Sequence, residues 1–234
     1  MNYKTLIPKP LKLLVRFSQR QLRDYSSGHA RLIAKPGAMP EFNQRVTVQQ
    51  PIMPSAFFEN KVFNMQKAGD RINQILIMPD QIFSFWAAVG YPGRLQGYKI
   101  GRNLVGGKIQ GAYGGGLCQV SSIIYYLALG AGLEILERHH HSVDIYKENE
   151  RFTPLGADAT VVYGYKDFRF RNSTAQPLCI VLEVDSNQIS ASLHSPFPLI
   201  YVEPEFERAD AATHRTVQTK VLGRLVATST YQVP

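Results

Sequence analysis

Between residues 117 and 131, Val120, Ile123, Ile124, Leu127 and Ala131 recur at i, i+3, i+4, i+7 and i+11, the spacing of one buried helix face. That spacing predicts a helix beginning at or near Cys118, with Gly130 and Gly132 marking its end and a C-terminal cap. Another helix is predicted from Asn60 to Leu76, where Val62, Met65, Ile72 and Leu76 share a face. The stretch "MPDQIFSFWAAVGYPG" between them reads as turn, short strand and turn, with Phe83, Phe85 and Trp86 in the core. After residue 133 the pattern becomes extended: "LEILE", "HSVDIY", "ATVVYGY", "DFRFRN", "PLCIVLEV" and "QISASLH" read as strands. The last two flank "DSN", whose Asp and Asn suit a hairpin turn, and "TVQTKVLGRLVATSTYQV" reads as further strand. The expected class is α+β, with the Cys118 helix packed on a mainly antiparallel sheet from about 134 to 230.

The N-terminal segment follows a different logic. Leu11, Leu14, Val15, Leu22 and Tyr25 fall at helical spacing with arginines on the other side, and "AKPGAMP" at 34–40 reads as a linker. The expected division is a basic amphipathic leader, residues 1–35, followed by a main domain, residues 41–234. An amphipathic basic helix either lies on an anionic membrane surface, docks on a partner, or packs its apolar stripe on its own domain.

Charge sharpens that division. The 234 residues carry a formal charge of +8, with 44% hydrophobic and 19% charged residues, as in an ordinary folded domain. Eight basic residues stand against Asp24 alone in residues 1–35, so the leader holds +7 and the remainder +1. A basic leader on a near-neutral body argues against a nucleic-acid-binding surface, and no such motif is present. No apolar run reaches the roughly 20 residues of a bilayer span. "LKLLV" is too short for a secretory core, so the expected location is cytoplasmic and, through the leader, peripheral at the inner membrane.

Two cysteines do not make a disulfide framework. Cys179 lies in an apolar strand-like run and reads as a small buried hydrophobe. Cys118 follows "GAYGGGL" and opens a helix. Free N–H groups and the helix dipole at such a position favour a thiolate and can hold an oxyanion. Gly114, Gly115 and Gly116 would let a substrate backbone approach. The base would come from His139 or His141 in "ERHHHSVDIY", two positions that share a face if this run is a strand. Asp158, the first of two aspartates around "ATVVYGYKD" (the other is Asp167), would then fix the imidazole tautomer. Two alternatives stand beside this one: a surface histidine cluster, and a mixed metal site of Cys118, His139, His141 and Asp158.

"GGGLCQVSSIIYYLALGAGLEILERHHHS" and "FTPLGADATVVYGYKDFRFRN" resemble the VanW family, named for accessory proteins of bacterial vancomycin-resistance clusters. The resemblance runs from about residue 60 to 195. By its motifs Gly114, Gly115, Gly116, Cys118, Gln119, Ser121, Arg138, His139, His141, Ser142, Asp158 and Thr160 carry over, while His140 takes a variable place. It implies a link to cell-wall or glycopeptide-resistance biology rather than a defined reaction. A more distant similarity, of chain order only, is to transglutaminase-like and papain-like enzymes.

Together these readings lead to a cysteine-dependent amide hydrolase or transferase on peptidoglycan-related or other small amide substrates. Cys118 is its nucleophile, His141 or His139 its base, and Asp158 the orienting group. Gln119 and nearby N–H groups would receive the oxyanion, with Gly114, Gly115, Gly116, Ser121, Ser142 and Arg138 around the substrate. No cofactor is expected. The alternative is a non-catalytic accessory protein whose Cys-His-Asp cluster is a recognition pocket or a structural, metal-bound site.

Overall fold

The computed structural model describes residues 9–105, 108–144 and 151–233. The start of the leader, including Lys4, and the end of the "HSVDIY" run lie outside them. Helices α1 (Lys9–Ser26) and α2 (His29–Leu32) come first, then β1 (Gln44–Pro51) and α3 (Phe58–Ile72). Next are β2 (Leu76–Ile77), β3 (Ile82–Ser84), α4 (Phe85–Val89), β4 (Ile100–Val105) and β5 (Lys108–Tyr113). Helix α5 (Leu117–Gly130) leads into β6 (Glu134–Glu137) and β7 (Arg169–Arg171). The chain ends in β8 (Leu178–Val184), β9 (Gln188–Ser195), β10 (Glu205–Asp210), β11 (His214–Val221) and β12 (Arg224–Gln232).

The class is mixed α+β, and every strand pair of the sheets is antiparallel. The strands form four separate sheets, ordered β1-β9-β8-β2, β3-β7-β6, β10-β11-β12 and β4-β5. One sheet over 134–230 therefore gives way to several, because β1, β2 and β3 from the first half pair with strands from the second. The "DSN" hairpin forms: the Asp185 carboxylate accepts the Asn187 and Gln188 N–H groups at 2.6 and 2.8 Å. Leu222 and Gly223, both at positive φ, turn β11 into β12.

Helix α5 is the interior element. Of its residues only Cys118 and Tyr126 are not buried. Val120, Ile123, Ile124 and Leu127 pack with Met65, Ala68 and Ile72 of α3 and with Ile180, Ala191 and Leu193 of the four-stranded sheet. Phe83 and Phe85 are fully buried, and Trp86 is half-buried with its indole N–H on Lys166 O. Asp167 is structural: it accepts the Ser84 hydroxyl at 2.7 Å and the Trp86 N–H at 3.0 Å.

The described part of the "HSVDIY" segment, residues 141–144, and the "ATVVYGY" segment are not ladder strands. Residues 138–142 are irregular, Val143 makes a single bridge to Gln232, and Val162 bridges Lys166 within a turn. Helix α1 is docked, but by a different face from the expected stripe. Arg20 clamps Glu137 at 2.7 and 2.9 Å, Asp24 clamps Arg169 at 2.9 and 2.7 Å, and Phe17 stacks on Tyr163. Leu11, Leu14, Val15, Leu22 and Tyr25 point outward.

The glycines before α5 serve the chain itself. A Cβ on Gly115 would lie 2.5 Å from the Gly101 backbone of β4, and Gly114 and Gly116 hold positive φ against Pro92 and Lys61. They seat the β4-β5 hairpin on the helix start, which replaces the expectation of a gap for substrate backbone. Gly115→Ala should lower stability by about 2–3 kcal/mol through this backbone clash, as a shifted urea midpoint will register.

Candidate active site

Two irregular pieces of chain meet at the first turn of α5. Ser121 and Ser122 bring one of them there: Ser121 Oγ donates to Ala159 O at 2.5 Å, and Ser122 Oγ accepts the Ala159 N–H at 2.9 Å. The Ser122 hydroxyl in turn donates to Cys118 O at 2.6 Å. Residue 158 is thus stitched beside residue 118, with the Cys118 sulfur 3.7 Å from Val161 O. The Thr160 N–H donates to His139 O at 2.6 Å and sets the histidine segment alongside.

His141 bridges the two ends of the site. Its Nδ1 lies 2.6 Å from Asp158 Oδ2, and the Cys118 sulfur is near enough to the imidazole to favour its charged form. Burial opposes its charge, but the Asp158 carboxylate and then the Cys118 sulfur outweigh that and push its pKa up to about 10. Asp158 accepts further bonds from the His141 backbone N–H at 2.6 Å, Arg138 Nη2 at 3.0 Å and the Tyr231 hydroxyl at 2.5 Å. Burial alone would raise Asp158, yet His141, Arg138 and Tyr231 hold it well below the usual carboxylate range. Arg138 is itself fixed by Gly156 O at 2.8 Å and Asp158 O at 2.7 Å, over the Tyr125 ring.

The other predicted residues fall elsewhere. His139 turns to Glu137 at 3.0 Å, away from the sulfur, because the segment is irregular and alternate residues need not share a face. Of the two histidines only His141 therefore joins Asp158, and the four-ligand metal set is not assembled among the described residues. Among the described residues no cluster of three or more His, Cys, Asp or Glu side chains is arranged to hold a metal. Gln119 is also corrected: its amide nitrogen donates to Pro51 O at 2.8 Å, so it tethers β1 instead of facing an oxyanion. Ser121 is fully buried in structural bonds, and Ser142 is exposed, its carbonyl accepting the Gln232 N–H at 2.9 Å. Arg138 serves Asp158 rather than substrate.

Three contributors escaped the sequence reading. Ser122 looked like one more helix residue, and Tyr231 lies 73 residues beyond Asp158 in an ordinary strand. Lys61 stands beside the helix start, its Nζ 6.0 Å from the Phe152 ring, and burial together with Arg102 lowers its pKa to about 8. Next to His141 and Asp158 opens a small, largely apolar recess of about 40 Å³, walled by Val143, Phe152, Pro154, Leu155 and Tyr231. The chemistry available is a half-buried sulfur beside a charged imidazole, with an anchored carboxylate behind and an apolar recess at its side.

The VanW-like protein family matches residues 60–194, which contain Cys118, Arg138, His141 and Asp158. The chain belongs to this family. It is 35% identical over 131 residues to the vancomycin B-type resistance protein VanW of Enterococcus faecalis, covering 56% of this chain and 48% of that protein. It is also 35% identical over 122 residues to the uncharacterized protein YoaR of Bacillus subtilis, covering 52% and 39% respectively. The chain thus spans less than half the length of either relative. No solved structure matches it. The similarity to transglutaminase-like and papain-like enzymes remains one of residue order, since His141 and Asp158 sit on irregular segments here and not on adjacent strands. Tyr231 lies outside the matched span, so a C-terminal strand beyond it completes the carboxylate's shell.

Asp158→Asn should bring the His141 titration, followed by NMR, down by about 1–3 units as the opposing charge goes. The pair also shapes stability against pH. A raised imidazole contributes fully below its unfolded pKa of about 6.5 and loses that contribution as pH rises through about 10. A depressed carboxylate contributes fully above about 3.9 and loses it as pH falls through its native value. The stability gap between the parent and Asp158→Asn should therefore be widest between about pH 4 and 6.5 and shrink progressively from about pH 6.5 to 10, as urea titrations will record. Tyr231→Phe should cost about 1–2 kcal/mol in the same titrations, by removing a buried donor to a charge.

Proposed function

We propose that this VanW-like chain is a cysteine-dependent acyl-transfer enzyme, an amide hydrolase or transferase acting on peptidoglycan-related substrates. The observation that supports the reading is His141, hydrogen-bonded to the Asp158 carboxylate through Nδ1 and near enough to the Cys118 sulfur for the two to interact electrostatically. The exposure pattern agrees: along a helix buried almost throughout, the residue carrying the thiol is partly open. The substrate class draws on the similarity to a protein named for vancomycin resistance.

In this reading the sulfur, as thiolate paired with the His141 imidazolium, adds to the amide carbonyl carbon. A C–S bond forms and the carbonyl π electrons move onto oxygen. The Cys118 N–H, which bonds no carbonyl among the described residues, is the helix-start donor for that oxygen. Collapse breaks the C–N bond while His141 gives its proton to the leaving amine. Water or an acceptor amine then attacks the thioester, His141 takes up its proton, and breaking the C–S bond returns the thiolate and releases the acyl product. Asp158 keeps its charge throughout and holds the imidazole in orientation. The apolar recess at His141 and Tyr231 receives an aliphatic part of the acyl group.

Iodoacetamide at pH 6, read by intact mass, tests the mechanism's first requirement. Cys118 should alkylate, and Cys118→Ser should abolish labelling, because Cys179 is buried and its thiol is pushed up to about 11. His141→Ala should slow labelling at least about tenfold. Incubation with muropeptides should then leave an acyl adduct on Cys118 of the parent protein. A silent Cys118, or a His141→Ala variant labelled at the parent rate, would return the cluster to a non-catalytic role.

A further inference from the structure

Helix α1 has two faces with different fates. The inner face, Leu13, Phe17, Arg20 and Asp24, is spent on the fold: a Cβ on Gly164 would meet Leu13 at 2.5 Å, Phe17 stacks on Tyr163, and the two charges form the clamps described above. The outer face repeats at i, i+3, i+4, i+11 and i+14 through Leu11, Leu14, Val15, Leu22 and Tyr25. These are large apolar side chains left in water, with Leu14 61%, Leu22 69% and Tyr25 73% exposed. A helix already docked by one side has no need of a second apolar stripe for its own packing.

The charges around that stripe indicate what covers it. At 100° per residue Lys12, Arg16 and Arg23 run along one flank of the stripe, between it and the docked face. None of them forms an ion pair among the described residues, and neither do Arg31 and Lys35 just beyond the helix. The one acid of the segment, Asp24, is buried against Arg169, so the outer face shows no carboxylate. Outward leucines and a tyrosine beside free cations complement a surface that is apolar inside and anionic at its rim.

We infer that α1 seats the protein on an anionic phospholipid bilayer, with Leu11, Leu14, Val15, Leu22 and Tyr25 sunk into the acyl boundary and Lys12, Arg16 and Arg23 among the headgroups. The helix lies along the surface and does not cross it: among the described residues no helix is long and apolar enough to span a membrane. Binding of this kind is reversible, since one short amphipathic helix supplies limited buried area.

Co-sedimentation of the full chain with vesicles tests the inference, comparing phosphatidylcholine alone with phosphatidylcholine containing about a third phosphatidylglycerol. The parent should bind the mixed vesicles and leave the neutral ones largely unbound. Leu14→Asp/Leu22→Asp should weaken binding at least about tenfold, through the loss of apolar burial. Arg16→Gln/Arg23→Gln should weaken it at least about fivefold, as should high salt on the parent. All four substituted side chains are solvent-facing, so unchanged urea midpoints will show that the variants fold. Equal binding by Leu14→Asp/Leu22→Asp would reduce the effect to overall charge and overturn the inference. So would no binding at all, or self-association of the chain through this stripe with the vesicles left free.

Discussion

The arrangement depends on one buried carboxylate with more donors than a surface group would find. Asp158 draws an imidazole, a backbone N–H, a guanidinium and a phenol to its two oxygens, the first three from Arg138 and His141 and the last from Tyr231. Taking such a charge out of water is costly unless every lone pair is met. The residue therefore selects a single arrangement of β6, the histidine segment, the 156–160 stretch and β12. Remove any donor and the others lose the reason for their positions.

Much of this could be foreseen where the signal was local. The stripe through Val120, Ile123, Ile124 and Leu127 placed α5 and its thiol because a buried helix must repeat at its own period. "PLCIVLEV", "DSN" and "QISASLH" foretold β8, β9 and their turn for similar reasons. The pairing of β1 with β9, and of β3 with β7, left no trace in the local pattern, since a partner more than 80 residues away does not alter a strand's own alternation. The histidines misled for a physical reason: "HSVDIY" alternates like a strand, but Asp158 and the β12 backbone capture the segment before any ladder forms.

Residues singled out for chemistry divide into those grouped at the sulfur and those that brace them. The two serines after Gln119 are a case: hydroxyls two and three positions beyond it fasten Ala159, and thereby its neighbour Asp158, to the helix. Gln119 fastens Pro51 in the same way. A motif can thus be specific in sequence because a polar side chain has one buried partner to satisfy, with no substrate involved. Arg138 belongs to the same group, and its cost in burial is offset by carbonyls and Asp158 together.

Glu137 gives the docked leader a wider reach. It is held by Arg20 from α1 and by His139 from the segment that leads to His141, and it immediately precedes Arg138. The anchoring of the first helix and the alignment of Cys118's neighbours therefore share one strand end. Cutting away the first 26 residues would leave the Arg169 guanidinium without Asp24, and Glu137 and Asp167 without Arg20 between them. What resembles a detachable extension in the sequence acts mechanically as a brace, so a truncated protein would report on a loosened centre as much as on a missing anchor.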